Sequence, residues 1–345
     1  MSTARHRMPF GADVTDGGSV WFRLLAPNAE RVALVLGDQT APAHPPNHLV
    51  DRADVGDGWR DGYYADYAER PASWLARGLA EGFGYQGERS AFRHGAARGT
   101  ASGHLPPTAF VNFLQNHDQI GNRAFGERLH QLTSEQALRA ATAMLLLAPA
   151  PPLLFMGQEL VAERPFLFFC DFGTDLARSV TEGRRREFAR FAQFADEAAR
   201  QAIPDPNDPD TFARCRLDWS ALDAPAHRAW LDMHRTLLAL RQAEIVPRLK
   251  GIRGHAARAQ LIGETGLMVR WTLGDGSLLT LLANLGDNEL PAPVPSQQPT
   301  GRLLHLEPAS AAATIAAGRL PGWTAVWYLN TKTAAGRDLD PPRTT

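Results

Sequence analysis

The sequence predicts an α/β protein with β-rich ends, and three stretches carry that expectation. Residues 110–156 read as one strand–helix–strand step of a parallel sheet, because two short apolar runs flank a helical pattern. Gly274-Asp275-Gly276 lies between two β-prone runs, Gly266–Leu273 and Ser277–Asn284, which is a hairpin signal. A further hairpin signal near the N-terminus joins Val20–Leu24 to Val32–Leu36 through Pro27-Asn28.

Taken in order, the N-terminal hairpin has no evident third strand. Residues 37–61 supply Pro42, Pro45 and Pro46 and end in Gly56-Asp57-Gly58-Trp59. A two-stranded hairpin is marginal by itself, so this β-unit stops before it is complete. The texture then changes at Gly62. Tyr63-Tyr64-Ala65-Asp66-Tyr67 precedes a helical pattern over Ala72–Glu81, with Trp74, Leu75 and Leu79 on one side. Residues 86–107 are rich in Gly, Arg and Ser and read as a long loop, a kind of segment often functional in compact enzymes. Within it Phe92-Arg93 offers an aromatic platform and a charge, or simply tacks the loop down.

Phe110–Gln115 is short and apolar enough for a buried strand, and it breaks into Asn116-His117-Asp118. In parallel α/β proteins chemistry gathers at the carboxyl ends of strands, where loops converge on one face. A His and an Asp at that edge can reach a bound sugar or anion; equally, the triplet can cap the helix that follows. Thr133 with Gln136 forms a capping-box pattern, and Leu138, Ala141 and Leu145 repeat at helical spacing. Pro149–Pro152 ends that helix, and Leu153–Met156 reads as the next strand, running into Gly157-Gln158-Glu159. The charge run Thr181–Glu187 is expected to be a solvated helix face. His227–Leu240 is an amphipathic helix with Trp230, Met233, Leu237 and Leu240 on one side. Trp323–Leu329 adds a strand to the 274–276 hairpin, giving a small antiparallel β-domain at the C-terminal end.

Composition narrows the function. With 44% hydrophobic residues and a formal net charge of −1, no surplus of Lys and Arg exists to drive binding to a nucleic-acid backbone. The two cysteines, Cys170 and Cys215, form no CxxC or His-linked metal spacing and suit a reducing compartment. The longest apolar run, Ala143–Met156, is cut by Pro149, Pro151 and Pro152 and does not read as a membrane span. The N-terminus carries no apolar core of secretory length, so a cytoplasmic protein is expected.

In this order, QNHDQIGNRAFGERL, LLLAPAPPLLFMGQE, PFLFFCDFG, EGRRREFARF and IPDPNDPDTFARCRLDW resemble the malto-oligosyltrehalose trehalohydrolases, α-amylase-type enzymes of glycoside hydrolase family thirteen. HRMPFGA with FRLLAPNAERVALVL resembles their N-terminal β-sandwich, and RDGYYADYA the segment after their sixth barrel strand. The resemblance implies an α/β plus β fold: an incomplete β-sandwich at 1–60, the last part of a (β/α)8 barrel at 61–248, and an antiparallel β-domain at 249–345. It implies hydrolysis of the α-1,4 bond beside the terminal trehalose of maltooligosyl trehalose, with retention of configuration and no cofactor or metal. Asp118 would then be the carboxylate that stabilises the transition state, and His117 would bond sugar hydroxyls in the innermost subsite. Gln119, Arg123 and Glu159 would be further contacts at the same rim, with Phe92 and Arg93 as substrate-binding candidates from the loop. Leu160 departs from the family, which usually has an aromatic residue there.

A second departure bears on mechanism. In the family the nucleophile follows the fourth barrel strand in a motif like R-x-D-A-x-H, and the acid is a Glu after the fifth. Both precede the GYYADYA segment. Here the N-terminal hairpin runs through Trp59-Arg60 directly into that segment, and 61–248 is shorter than the roughly 250 residues a closed barrel takes. Strands one to six, with the nucleophile and acid, are therefore expected to be missing. Arg216-Leu217-Asp218-Trp219 and Asp223–His227 echo the nucleophile motif but read as the link into the helix at 227, and Asp66 and Glu88 have no spacing that opposes Asp118. The chain is thus expected to be inactive or nearly so alone. The alternatives are a non-catalytic α-glucan-binding protein, or an unstable deletion product that self-associates through exposed sheet edges.

Overall fold

The structure, a computed structural model, describes residues 11–14, 20–23, 65–293 and 299–331 of the 345-residue chain. The chain divides into two compact units, 1–43 and 44–345. In the first, strand β1 (Gly11–Val14) pairs antiparallel with β2 (Val20–Arg23). The expected strand at Val20–Leu24 is thus present, but its described partner is the stretch before Gly17-Gly18. Val32–Leu36, expected to be that partner, lies outside the described residues, as do Tyr63 and Tyr64.

In the second unit the helices are α1 (Ala65–Ala68), α2 (Pro71–Glu81), α3 (His117–Gly121), α4 (Glu135–Leu147), α5 (Thr174–Phe188), α6 (Glu197–Gln201), α7 (Pro209–Arg214) and α8 (Pro225–Leu240). The C-terminal region is an antiparallel sheet in the order β3-β4-β5-β9-β7. Its strands are β3 (Ala257–Ile262), β4 (Gly266–Thr272), β5 (Leu278–Asn284), β7 (Arg302–Glu307) and β9 (Thr324–Asn330). Two short strands, β6 (Leu290–Pro291) and β8 (Arg319–Leu320), pair separately.

The core follows from the two periodicities. Leu267, Val269 and Trp271 of β4 alternate onto one face of the sheet with Leu279, Leu281, Ala325 and Trp327. That face packs on Ala72 and Ala76 of α2, on nearly all of α4, and on Trp230, Met233 and Leu237 of α8. Trp271 and Trp327, both fully buried, stack at 5.7 Å, and the Trp271 indole N–H donates to the Leu79 carbonyl of α2. Met268, Leu282 and Val326 point to the opposite face and pack with Leu320. After its exposed first turn, Glu135 and Gln136, α4 is almost wholly apolar, and Ala140–Leu147 is accordingly buried all round. Ser134, not Thr133, caps it, accepting from the Ala137 N–H at 3.2 Å.

Two polar contacts fix α4 within this core. Arg139 pairs with Glu307 of β7 at 2.7 Å. At the other end Arg241, just past α8, donates to the carbonyls of Leu146, Ala148, Pro149 and Ala150. Burial lowers the pKa of this guanidinium to about 10.

The expected strands at 110–115 and 153–156 do not form a ladder. They meet in one parallel bridge, Asn112 to Pro152, with hydrogen bonds from Asn112 to Pro151 and from Leu153 to Asn112. Pro151 has no N–H to donate, which stops pairing on one side of the bridge, and on the other the Phe155 N–H goes to the Gln158 side chain at 3.4 Å. No helix among the described residues is long and apolar enough to cross a membrane.

Candidate functional site

Asn116 opens α3 in extended backbone conformation, and its side chain accepts the Gln119 N–H at 3.0 Å. The capping part of the Asn-His-Asp triplet therefore belongs to Asn116. This leaves the next two side chains unneeded for the helix. His117 and Asp118 both face solvent and approach each other at 3.4 Å, Nε2 to Oδ1. The two strongest candidates thus stand together on one exposed turn, a donor–acceptor pair suited to sugar hydroxyls.

The remaining candidates fall around them unevenly. Gln119 is buried, with its Oε1 unpaired among the described residues. It lines a shallow depression with Arg123, Gln115 and Glu127. Glu159 lies on the turn Gln158–Leu160, where its charge acts on Arg128 and on buried His234. Phe92 and Arg93 sit on the long loop, Phe92 about half exposed. That loop is a folded unit: Arg89 bridges Ala97, and Asp66 accepts from the Ser90 hydroxyl, the Phe92 N–H and Arg98. Arg98 in turn lies over the rings of Tyr67 and Tyr85. Burial, reinforced by the Asp66 charge, pushes the Tyr85 phenol up to about 12.

The four acids weighed in the sequence as stand-ins for the nucleophile and acid each have partners of their own. Asp66 is buried in the loop anchor just described. Glu88 pairs with Arg77 and accepts the Gln86 N–H; burial works upward on its carboxyl, but these bonds outweigh it and hold it low. Asp218 caps the turn Trp219–Asp223, with the Ser220 hydroxyl and N–H keeping its carboxyl low, and Asp223 pairs with Arg228. His227 bonds the Leu160 carbonyl at 2.6 Å. Among the described residues no group of three or more His, Cys, Asp or Glu could hold a metal ion.

Sequence reading missed the arginines that hold this region. Arg128, fully buried, donates to the carbonyls of Met156 and Arg164 and lies over Phe155. Burial lowers its pKa, against the opposing charge of Glu159. Arg184, inside the run expected to be a solvated helix face, turns inward instead and donates to the carbonyls of Gly121 and Arg123. The reason is local: Phe168 and Phe188 offer the guanidinium a shelf, whereas Arg186 on the same helix is exposed. Spacing alone cannot tell Arg184 from its neighbours.

In class, the solved structures that this fold resembles are α-amylase-type enzymes. It matches a 1.4 Å crystal structure of a Salmonella typhimurium protein provisionally described as an alpha amylase, with TM-score 0.73 and 39% identity, over 84% of this chain and 45% of that one. More particularly, the sequence is similar to curated proteins named malto-oligosyltrehalose trehalohydrolase. That of Deinococcus radiodurans is 38% identical over 256 residues, 72% of this chain and 41% of its own length. Those of Rhizobium sp. and Saccharolobus solfataricus are 41% and 34% identical over 186 residues each, 30% of their lengths. Residues 254–327, the sheet from β3 into β9, match the domain of unknown function DUF3459. The resemblance drawn from the motifs is therefore shown by several relatives, and the chain spans less than half the length of each.

Proposed function

We propose that this chain is a shortened glycoside hydrolase of the trehalohydrolase type, which binds maltooligosyl trehalose or maltooligosaccharides and does not cleave them by itself. The observation that carries the reading is the exposed His117–Asp118 pair on the turn of the Asn-His-Asp motif, in a chain 38% identical to a trehalohydrolase over 256 residues. A retaining glycosidase needs two carboxyl groups about 5 Å apart across the scissile bond. Asp118 supplies a charge that stabilises an oxocarbenium-like transition state, and His117 orients the sugar. Asp66, Glu88, Asp218 and Asp223 are each engaged by other partners, which counts against their serving as the second carboxyl.

In this reading 61–248 is the last part of a (β/α)8 barrel, 1–60 a remnant β-sandwich and 249–345 the C-terminal β-domain. The protein works in the cytoplasm without a cofactor, in trehalose formation, and its open sheet edges favour self-association. A second reading, a non-catalytic α-glucan-binding protein, draws on the half-exposed Phe92 as a stacking platform. Calorimetric titration with maltooligosyl trehalose tests the site. Binding that falls at least tenfold in Asp118→Asn or His117→Ala supports it, and binding unchanged in both removes it.

A further inference from the structure

α3 has five residues and cannot hold itself in water, since the cost of nucleating a helix exceeds what one turn returns. Its start is fixed by the Asn116 side chain. Its end leaves carbonyls without helical donors, as every helix does. Two oxygens at that end, those of Gly121 and Arg123, each accept from Nη2 of Arg184 at 2.8 Å. This donor comes from α5, more than sixty residues further on, so the contact is tertiary. The guanidinium lies 4.9 Å from the Phe168 ring and 5.2 Å from the Phe188 ring, which confines it to this position. A cation at a helix C-terminus is also favoured by the aligned peptide dipoles.

We infer that Arg184 is a positioning residue for the sugar site: by clamping the C-terminal end of α3, it fixes the placement of His117 and Asp118 without touching the sugar itself. The inference rests on the reading that these two side chains bind glucan. Hydrogen bonds to hydroxyls weaken steeply with distance and angle, so a turn free to shift loses affinity even with every ligand-contacting group intact. Lysine at this position keeps a charge but not the planar, ring-stacked donor, and replaces the clamp only in part.

The test combines hydrogen exchange with calorimetry, using maltoheptaose as probe. The Ile120 and Asn122 amides bond the Asn116 and Asp118 carbonyls and report on α3 directly. In Arg184→Met their exchange speeds up about tenfold while the amides of β5 stay as in the wild type, Arg184→Lys falls between, and Arg186→Met changes neither. Maltoheptaose affinity drops about tenfold in Arg184→Met, but the same substitution costs about threefold or less in an Asp118→Asn background, where only His117 is left for the clamp to place. Unchanged exchange at Ile120 and Asn122, faster exchange throughout β5, or an equal affinity loss in both backgrounds overturns the inference. A wild-type protein that does not bind maltoheptaose refutes the proposed function instead, and the exchange arm then decides the role of Arg184 alone.

Discussion

Replacing Arg241 by methionine removes a side chain that serves four carbonyls at the C-terminal end of α4 and just past it, those of Leu146, Ala148, Pro149 and Ala150. The magnitude follows from two opposed quantities. The drop of this guanidinium's pKa to about 10 puts the desolvation of its charge at about 3 kcal/mol, which the substitution relieves. Against this, each buried acceptor left without a donor costs about 1–3 kcal/mol, and Arg241 is 7% exposed, so water cannot simply take its place. Four acceptors outweigh one relieved charge, and a net loss of about 1–9 kcal/mol, centred near about 5, is expected. Urea unfolding measures it as a lower midpoint at unchanged slope. A loss below about 1 kcal/mol refutes the reasoning, by showing that the carbonyls find other partners.

Three further outcomes follow from the same geometry. Arg139→Met strands the buried Glu307 carboxylate and should cost about 3 kcal/mol, with Glu307→Gln milder; equal urea midpoints for the two variants contradict this. Asp66→Asn unties the loop carrying Phe92 and Arg93, so trypsin should cut at Arg89, Arg93 or Arg98 faster than in the wild type; an unchanged cleavage pattern shows the anchor to be dispensable. Burial holds His130, His234 and His305 below their ordinary 6.5. Below pH 6.5 the unfolded chain then binds more protons than the folded one. Stability should therefore fall as pH drops from about 6.5, by up to about 1.4 kcal/mol per pH unit for each histidine. A flat urea midpoint between pH 7 and 5 counts against it.

The C-terminal sheet was legible because its signals are local. Gly274-Asp275-Gly276 marks the β4–β5 turn, and the alternation that buries Leu267, Val269 and Trp271 on one face and Met268 on the other is written into the strand. Helices α4 and α8 were visible for the same reason, though the cap of α4 fell one residue later than the Thr133 pattern suggests. The parallel step was not, since an apolar run shows burial but not how far pairing extends, and Pro151 before the second run and the Gln158-bound Phe155 N–H within it limit pairing to one bridge. At the candidate site the motif placed His117 and Asp118 together. Arg184, Arg128 and Asp66 were beyond reach: their partners are tens of residues away, and charged residues that turn inward carry the same letter as those that do not.

Release of trehalose from maltooligosyl trehalose by the purified 345-residue chain tests the central claim most directly. No turnover is expected, together with binding that depends on Asp118. Trehalose released at a steady rate by the wild type and abolished in Asp118→Asn would contradict it, because cleavage then draws on carboxyl groups other than those assigned to structural roles.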